Sequence, residues 1–438
     1  MKRKKSESGY DIIQKIVRNC VIINQPGSII TKVCPYKKMS HKQTKTVKII
    51  ALIVVLMLFS LELKWLYSKI NADNILPDFI EYWAAGRVIL SNNNPYSPDQ
   101  IFSLQKSAGW TKADPLMMYN PPWTFFFILP FCLDHYPLSK FLWFLFHMVL
   151  AFVCGDWIWR FYGGPEKYRY VSLLITFTFA PVLFAIGVGQ IVLLILLGLV
   201  AFLQCEKFRK WWVAGLLLVL VAIKPHTLYL FWIALLLWVW DHKKWHLILG
   251  IGAGGLTATA VPTLFYPNVI KGYIGFILHQ PPLFYISPAP GSFLRLLLGE
   301  EWIWLQALPP CIGLIWFFFY WRDHRKTWRW DQRAPAVIFA SLLTTPYGWS
   351  FDYALLLPAI MKVAIETFRS QKRTVITQLI WIYLVINGIA LLLRLMAFPD
   401  HYLFWFGPAL LLIYIAWSWS YSRIVPSPPT LSSREPFE

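Results

Sequence analysis

The apolar runs of this chain do most to limit what it can fold into. From about residue 47 to residue 421, uncharged apolar stretches recur between short charged or Pro/Gly-bearing turns. Many approach the ~20 residues that a helix needs to cross a bilayer. A lipid core offers no water to unpaired backbone groups, so such runs must be helical. Composition agrees: 57% of residues are hydrophobic, 18% aromatic and only 14% charged, where soluble domains carry about 25% charge. The fold class is an all-α polytopic membrane protein.

The formal net charge of +19 would suggest a nucleic-acid partner in a soluble protein. Here the excess lies in the N-terminal tail and in short loops, where it orients a chain in the bilayer, so the bilayer is the expected partner and nucleic acid is not. Residues 1–46 hold Lys2, Arg3, Lys4, Lys5, Lys15, Arg18, Lys32, Lys37, Lys38, Lys42 and Lys45 against Glu7 and Asp11, which places the N-terminus in the cytoplasm. A first span at about 47–67 then acts as a signal anchor. A long outer segment, 68–137, follows. Its second apolar piece, 121–133, is too short to cross with ease, and its flanking prolines suit an interfacial helix. With that piece counted as non-spanning, the basic loops at Arg160/Lys167/Arg169, Lys207/Arg209/Lys210, Lys243/Lys244, Arg322–Arg333 and Arg369/Lys372/Arg373 all fall on the cytoplasmic side.

The later spans are then expected at 138–159, 170–187, 190–205, 211–223, 226–240, 246–265, 302–321, 334–345, 351–366, 374–393 and 402–421. That makes about twelve transmembrane helices in a domain over 47–421, with a second outer loop at 266–301. The tail 422–438, rich in Pro and Ser, reads as disordered and cytoplasmic. Cys20, Cys34, Cys132, Cys154, Cys205 and Cys311 are scattered without a C-x-x-C pair. Neither a metal site nor a disulfide framework is indicated, and no cofactor is expected. No Asn-x-Ser/Thr acceptor site occurs, which is compatible with a bacterial inner membrane.

The polar residues carry the functional reading. In Pro77-Asp78-Phe79-Ile80-Glu81-Tyr82-Trp83-Ala84-Ala85-Gly86-Arg87, a helical wheel puts Asp78, Glu81, Tyr82 and Ala85 on one face. Phe79, Trp83, Gly86 and Leu90 share another, roughly a quarter-turn away. Such a helix can lie on the membrane with its rings among lipid headgroups and its carboxylates towards a cavity. The plainer alternative makes Asp78 an N-cap and Glu81 a solvated residue. The outer turns add Gly189-Gln190, Lys224-Pro225-His226, and Thr345-Pro346-Tyr347 with Asp352, while Arg394 ends a span and Arg295 sits in the second outer loop. Singly, each has an ordinary reading as snorkelling cation, cap or interfacial anchor. Together they suit sugar transfer from a lipid phosphate, in which a base takes the acceptor's hydroxyl proton and cations hold the departing phosphate.

The run Asp78–Arg87, followed by Asn94-Pro95-Tyr96 and Tyr119-Asn120-Pro121-Pro122, resembles glycosyltransferase family 87. Gly189-Gln190, Lys224-Pro225 and Pro346-Tyr347…Asp352 come in the order expected of that family. The resemblance covers roughly residues 50–420. It implies a GT-C-like bundle with membrane-parallel helices in the first outer loop, and mannose transfer from a polyprenyl-phosphate donor to a glycan or glycolipid acceptor outside the cytoplasm. It makes Asp78 the base of a direct, inverting displacement. The chain departs from the family at Ser91-Asn92-Asn93, where relatives are often Gly-rich, at Val192, where Asn often stands, and in its longer N-terminal tail.

A monophosphate leaving group does not oblige a metal, and no close D-x-D is present. Lys224 and Arg394 are expected at the donor phosphate, with His226 and Arg295 behind them. Glu81, Tyr82, Tyr119, Asn120, Gln190, Tyr347 and Asp352 are expected around the substrates. The rival readings are a secondary transporter or lipid-linked-sugar flippase, which would favour internally repeated halves and ionisable groups deep in the bilayer, and a non-catalytic membrane subunit on the same fold.

Overall fold

The computed structural model describes Ser60 and residues 76–282, 285–370 and 373–424. The basic tail, the first expected span apart from Ser60, and the C-terminal tail beyond residue 424 lie outside the described residues. Among the described residues all regular structure is helical and no strand occurs.

Three short helices come first: α1 (Phe79–Leu90), α2 (Pro98–Ser107) and α3 (Phe125–Ile128), the last flanked by single 3₁₀ turns. None is long enough to cross a bilayer. They are followed by α4 (Tyr136–Phe161), α5 (Arg169–Thr178), α6 (Ala180–Val188), α7 (Val192–Lys207), α8 (Trp211–Val221), α9 (Tyr229–His242) and α10 (Trp245–Phe265). The second outer loop carries α11 (Val269–His279) and α12 (Pro290–Leu298). The chain ends through α13 (Leu308–His324), α14 (Trp330–Thr344), α15 (Leu357–Ser370), α16 (Arg373–Leu395) and α17 (Phe406–Ile424).

Five helical stretches are long and apolar enough to cross a membrane: Tyr136–Phe161, Trp245–Phe265, Ile303–Thr327, Thr374–Leu395 and Asp400–Trp419. These form the rim. Leu256 and Leu264 of α10, Ile315 and Phe318 of α13, Leu392 of α16 and Leu412 of α17 are all more than half exposed. A continuous apolar surface of this kind belongs in lipid. The centre is built from α6, buried along its whole length, and from most of α7. Beside them α8 crosses α10 backbone to backbone. A Cβ added at Gly215 would stand 2.1 Å from the Leu247 carbonyl, and one at Gly250 2.3 Å from that of Trp212, the close approach that small residues permit between membrane helices.

The expected count of about twelve spans exceeds what these lengths allow unaided. The stretch expected to cross at 170–187 is two helices meeting at 58°, and counting them as one span gives six. The break has a local cause. Pro181 at the start of α6 has no N–H and clashes with a preceding helical turn. The freed groups are taken up by α16: Asn387 Oδ1 accepts from the Ala180 N–H at 2.8 Å, and the Tyr383 hydroxyl donates to the Ile175 carbonyl at 2.9 Å.

Other expected spans are present as helices of 11 residues (α8), 14 (α9) and 15 (α14), or about 16–23 Å at 1.5 Å per residue, against a core of ~30 Å. These short helices, together with α6, end or begin at the turns that surround one cavity.

Candidate active site

That cavity has a volume of about 650 Å³, well within the range of ligand sites. Asp78, Glu81 and Tyr82 line it from α1, Tyr119 and Asn120 from the loop before α3, and Gln190 from the α6–α7 turn. Lys224 and His226 reach it from the α8–α9 turn, Tyr347 from the turn after α14, and Arg394 from the end of α16. Ten side chains singled out in the sequence therefore share one space, though more than 300 residues separate the first from the last.

Asp78 is held by a defined set of contacts. Its N–H donates to the Val188 carbonyl at 2.9 Å, so the start of α1 abuts the end of α6. The turn that follows requires glycine. Gly189 has φ +76, and an added Cβ would lie 2.8 Å from the Phe79 Cβ. The next residue, Gln190, donates through Nε2 to Asp78 Oδ2 at 2.8 Å. The amide cannot be turned round, because its Oε1 accepts from the Tyr82 hydroxyl at 2.5 Å and from the Ile191 N–H at 3.1 Å. Asp78 is thus held as an acceptor through Oδ2, while Oδ1 has no hydrogen-bond partner among the described residues. Asp78 makes no side-chain cap, so the plainer N-cap reading does not describe it.

The rings on the second face of α1, a quarter-turn from the carboxylates, depart from the expected arrangement. Phe79 and Trp83 are buried in protein and do not project towards lipid headgroups. Phe79 stacks on Trp143 with centroids 5.1 Å apart, and the Trp83 indole N–H donates to the Leu133 carbonyl at 2.8 Å. The wheel separated the two faces correctly. It could not tell lipid from a second layer of aromatic protein, because both accept the same residues.

The charge around Asp78 is mixed. Burial raises its pKa above the ordinary 3.8, and the Gln190 hydrogen bond, Lys224 and Arg394 oppose the rise. Glu81, also buried, is pushed well above 4.5 by desolvation and then by the neighbouring Asp78 charge. The two carboxyls therefore differ, with Glu81 the more readily protonated.

The Lys224 ammonium pairs with Asp352 Oδ1 at 3.1 Å and lies 4.7 Å from the centre of the Phe351 ring. Asp352 is buried and also accepts from the Trp349 N–H at 2.9 Å. It stands behind Lys224 and does not line the cavity. Arg394 approaches Asp400 Oδ1 at 3.4 Å. An ammonium has three donors and a guanidinium five, so each cation keeps donors to spare.

Arg295 is placed elsewhere. Its guanidinium donates to the Glu300 carbonyl through Nε at 2.7 Å and Nη2 at 2.5 Å, next to the end of α12, and it does not line the cavity. In the sequence it was one more arginine in an outer loop, and no local pattern marked a backbone carbonyl as its partner. His226 does line the cavity, but burial and the nearby Lys224 hold its pKa down to about 4. At neutral pH it is an uncharged ring, and its buried Nε2 has no hydrogen-bond partner among the described residues. It can contribute a hydrogen bond there but no positive charge.

Asn120 donates to the Ile223 carbonyl at 3.4 Å, and the Trp123 indole N–H to the Ala222 carbonyl at 3.2 Å. The Tyr119–Pro122 motif is thereby tied to the turn that carries Lys224.

Sequence reasoning passed over Asp400, Trp110, Lys112, Tyr273, Tyr285 and Trp349, all on the cavity wall. Asp400 carried a usable signal as a carboxylate six residues after Arg394 in the same outer turn. Its oxygens accept from the Ser350 N–H and hydroxyl at 2.9 and 2.5 Å, which joins the α16–α17 turn to the turn after α14. Lys112 and Trp110 carried none, being an ordinary lysine and tryptophan of a polar loop.

The arrangement offers a carboxylate with one oxygen unpartnered among the described residues, the cations Lys224 and Arg394 with unused donors and Lys112 at the wall, and a lining of aromatic rings and amides. Comparison with curated proteins and with solved structures finds no match. The family model of glycosyltransferase family 87 matches residues 118–346, just over half of the chain. The match and the long apolar helices agree on a membrane glycosyltransferase, and the chain belongs to glycosyltransferase family 87.

Proposed function

We propose that this protein transfers a hexose, mannose in our reading, from a polyprenyl-phosphate carrier to an acceptor hydroxyl on the extracytoplasmic side of a bacterial inner membrane. α1 and α2 then lie along the membrane plane, and both chain termini are cytoplasmic. The observation that carries this reading is the orientation of the Gln190 amide, which leaves Asp78 one unpartnered oxygen in a cavity that also holds Lys224 and Arg394.

In the reaction, Asp78 Oδ1 takes the proton of the acceptor hydroxyl. The acceptor oxygen attacks the anomeric carbon from the face opposite the phosphate and forms the new C–O bond. The C–O bond to phosphate breaks, and its electron pair departs on the polyprenyl phosphate. Lys224 and Arg394 stabilise that charge where it develops, and His226 can donate a neutral hydrogen bond. Asp352 and Asp400 hold the two cations in place. Glu81, Tyr82, Tyr119, Asn120 and Tyr347 surround the sugar, and Gln190 fixes the base.

The test is transfer of radiolabelled mannose from a short-chain polyprenyl phosphate by purified full-length protein reconstituted in sealed vesicles. The reading requires donor consumption with inversion at the anomeric carbon. Uptake of the intact lipid-linked sugar without bond cleavage would replace it with transport.

A further inference from the structure

A second concavity, of about 480 Å³, is walled by residues of the one early motif that the chemistry above leaves unused, Asn94-Pro95-Tyr96. The loop between α1 and α2 makes one wall and α11 the other. The surface of α11 is divided three ways. Tyr273 and Ile277 line the active-site cavity. Ile270, Ile274 and Leu278, four residues apart, form an apolar stripe that is 49%, 52% and 75% exposed. Lys271, Gly272, Gly275, Phe276 and His279 face the groove. At Gly275 the groove is bare, since an added Cβ meets nothing within 4 Å.

The opposite wall is fixed. Asn94 Oδ1 accepts from the Tyr96 N–H at 3.1 Å, and the Tyr96 ring stacks on Phe276 with centroids 5.8 Å apart. Tyr96 is only 4% exposed, so its ring is a fixed part of the wall.

Asn94, Asn268 and Gln280 add amides, each able both to donate and to accept, and Tyr266 adds another ring. Ring faces and two-way amides around an open space, with the Lys271 ammonium as a further donor at the wall, suit a ligand rich in hydroxyl acceptors. Gln280 belongs to the groove and Pro282 to the active-site cavity. Two residues span at most ~7 Å, so the two spaces adjoin at the end of α11.

We propose that this groove is a glycan subsite, holding sugar units of the acceptor that lie away from the reacting hydroxyl. The assignment of those units to an acceptor rests on the transfer reading above. The test uses full-length protein in nanodiscs on the Asp78→Asn background, where turnover is not needed for the readout. The probes are mannotetraose, free and octyl-linked, and methyl mannoside.

Gly275→Trp fills the groove from a position with open space around it and outside the catalytic cavity. It is expected to weaken mannotetraose binding about tenfold while leaving methyl mannoside binding within about twofold. Asn268→Ala removes an exposed amide of the wall that makes no helix-cap hydrogen bond and is expected to weaken mannotetraose binding severalfold without lowering thermal stability. Tighter binding of the octyl-linked probe would mark a lipid-anchored acceptor, and equal binding a free chain; both support the subsite. Unchanged mannotetraose affinity in Gly275→Trp, or equal losses for both sugars, overturns it. Donor consumption by the native chain is measured separately. Consumption with a silent Gly275→Trp sinks the subsite alone, and groove-dependent binding without consumption sinks the transfer reading alone.

Discussion

Gly189 is where backbone geometry and chemistry meet most closely, and replacing it with alanine gives a quantitative prediction. The residue sits at φ +76, and an added Cβ would lie 2.8 Å from the Phe79 Cβ, 3.2 Å from the Leu76 Cβ and 3.3 Å from the Phe79 nitrogen. Holding an L-residue in the left-handed region costs about 1–2 kcal/mol, and overpacking a filled site adds about 1–3 kcal/mol. Phe79 cannot turn aside, because its ring stacks between Tyr136 at 6.0 Å and Trp143 at 5.1 Å. Gly189→Ala is therefore expected to lose about 2–5 kcal/mol of stability.

The clash can be eased only by moving the start of α1. Going from 2.8 Å to the 3.4 Å of an ordinary contact is a shift of about 0.6 Å, and it displaces Asp78 against Gln190. A 1 Å misplacement can cost about a hundredfold in rate, so about tenfold is expected here, seen in kcat and not in donor KM. The assay pairs initial rates of sugar transfer at saturating donor with a thermal melt in detergent. Gly255→Ala, where an added Cβ meets nothing within 4 Å, serves as the control and should behave as wild type. A Gly189→Ala protein with wild-type kcat and an unshifted melt would refute the claim that this turn positions the base.

Further outcomes follow from the charges. A general base acts when deprotonated, and burial raises the Asp78 pKa, so kcat/KM should rise with pH along an acid limb whose midpoint lies above 3.8. Lys224→Met removes a charge that holds this pKa down and should move the limb to higher pH. Lys224→Met also leaves Asp352 buried and unpaired, at a cost of about 3–5 kcal/mol. Adding Asp352→Asn should restore thermal stability without restoring donor affinity, expected to be about 10–100-fold weaker for a lost charged hydrogen bond. For Glu81 the folded pKa is raised, so its stabilising effect is complete below the unfolded value of about 4.5 and fades as pH rises towards the folded one. The melting temperature of Glu81→Gln relative to wild type should therefore increase between pH 4 and pH 7.

The sequence revealed the membrane class and most of the polar residues that line the cavity for one physical reason. Charges are expensive near a bilayer, so Asp78, Lys224 and Arg394 stand out at the ends of apolar runs. Their grouping around one cavity was within reach because a topology drawn from loop charge put every such turn on one side. What stayed hidden depended on contacts distant in sequence. Arg295 looked like Arg394 until the Glu300 carbonyl was seen beneath it. Asp400 joins the site through Ser350, fifty residues away. The bend at Phe179 is stabilised by Asn387, more than 200 residues away, and no local pattern showed that α8, α9 and α14 stop short beside the turns that line the cavity. Phe79 and Trp83 were correctly set apart from the carboxylates, but apolar character alone could not name what they touch.

The measurement nearest the central claim is transfer by Asp78→Asn. Asparagine keeps an oxygen to accept from Gln190 Nε2, and losing a buried carboxylate with a raised pKa does not destabilise the fold. Turnover is expected to fall by about 10²–10⁴-fold at unchanged donor binding and an equal or higher melting temperature. An Asp78→Asn protein that transfers sugar within about threefold of wild type, well short of the loss that removing a general base entails, would contradict the account.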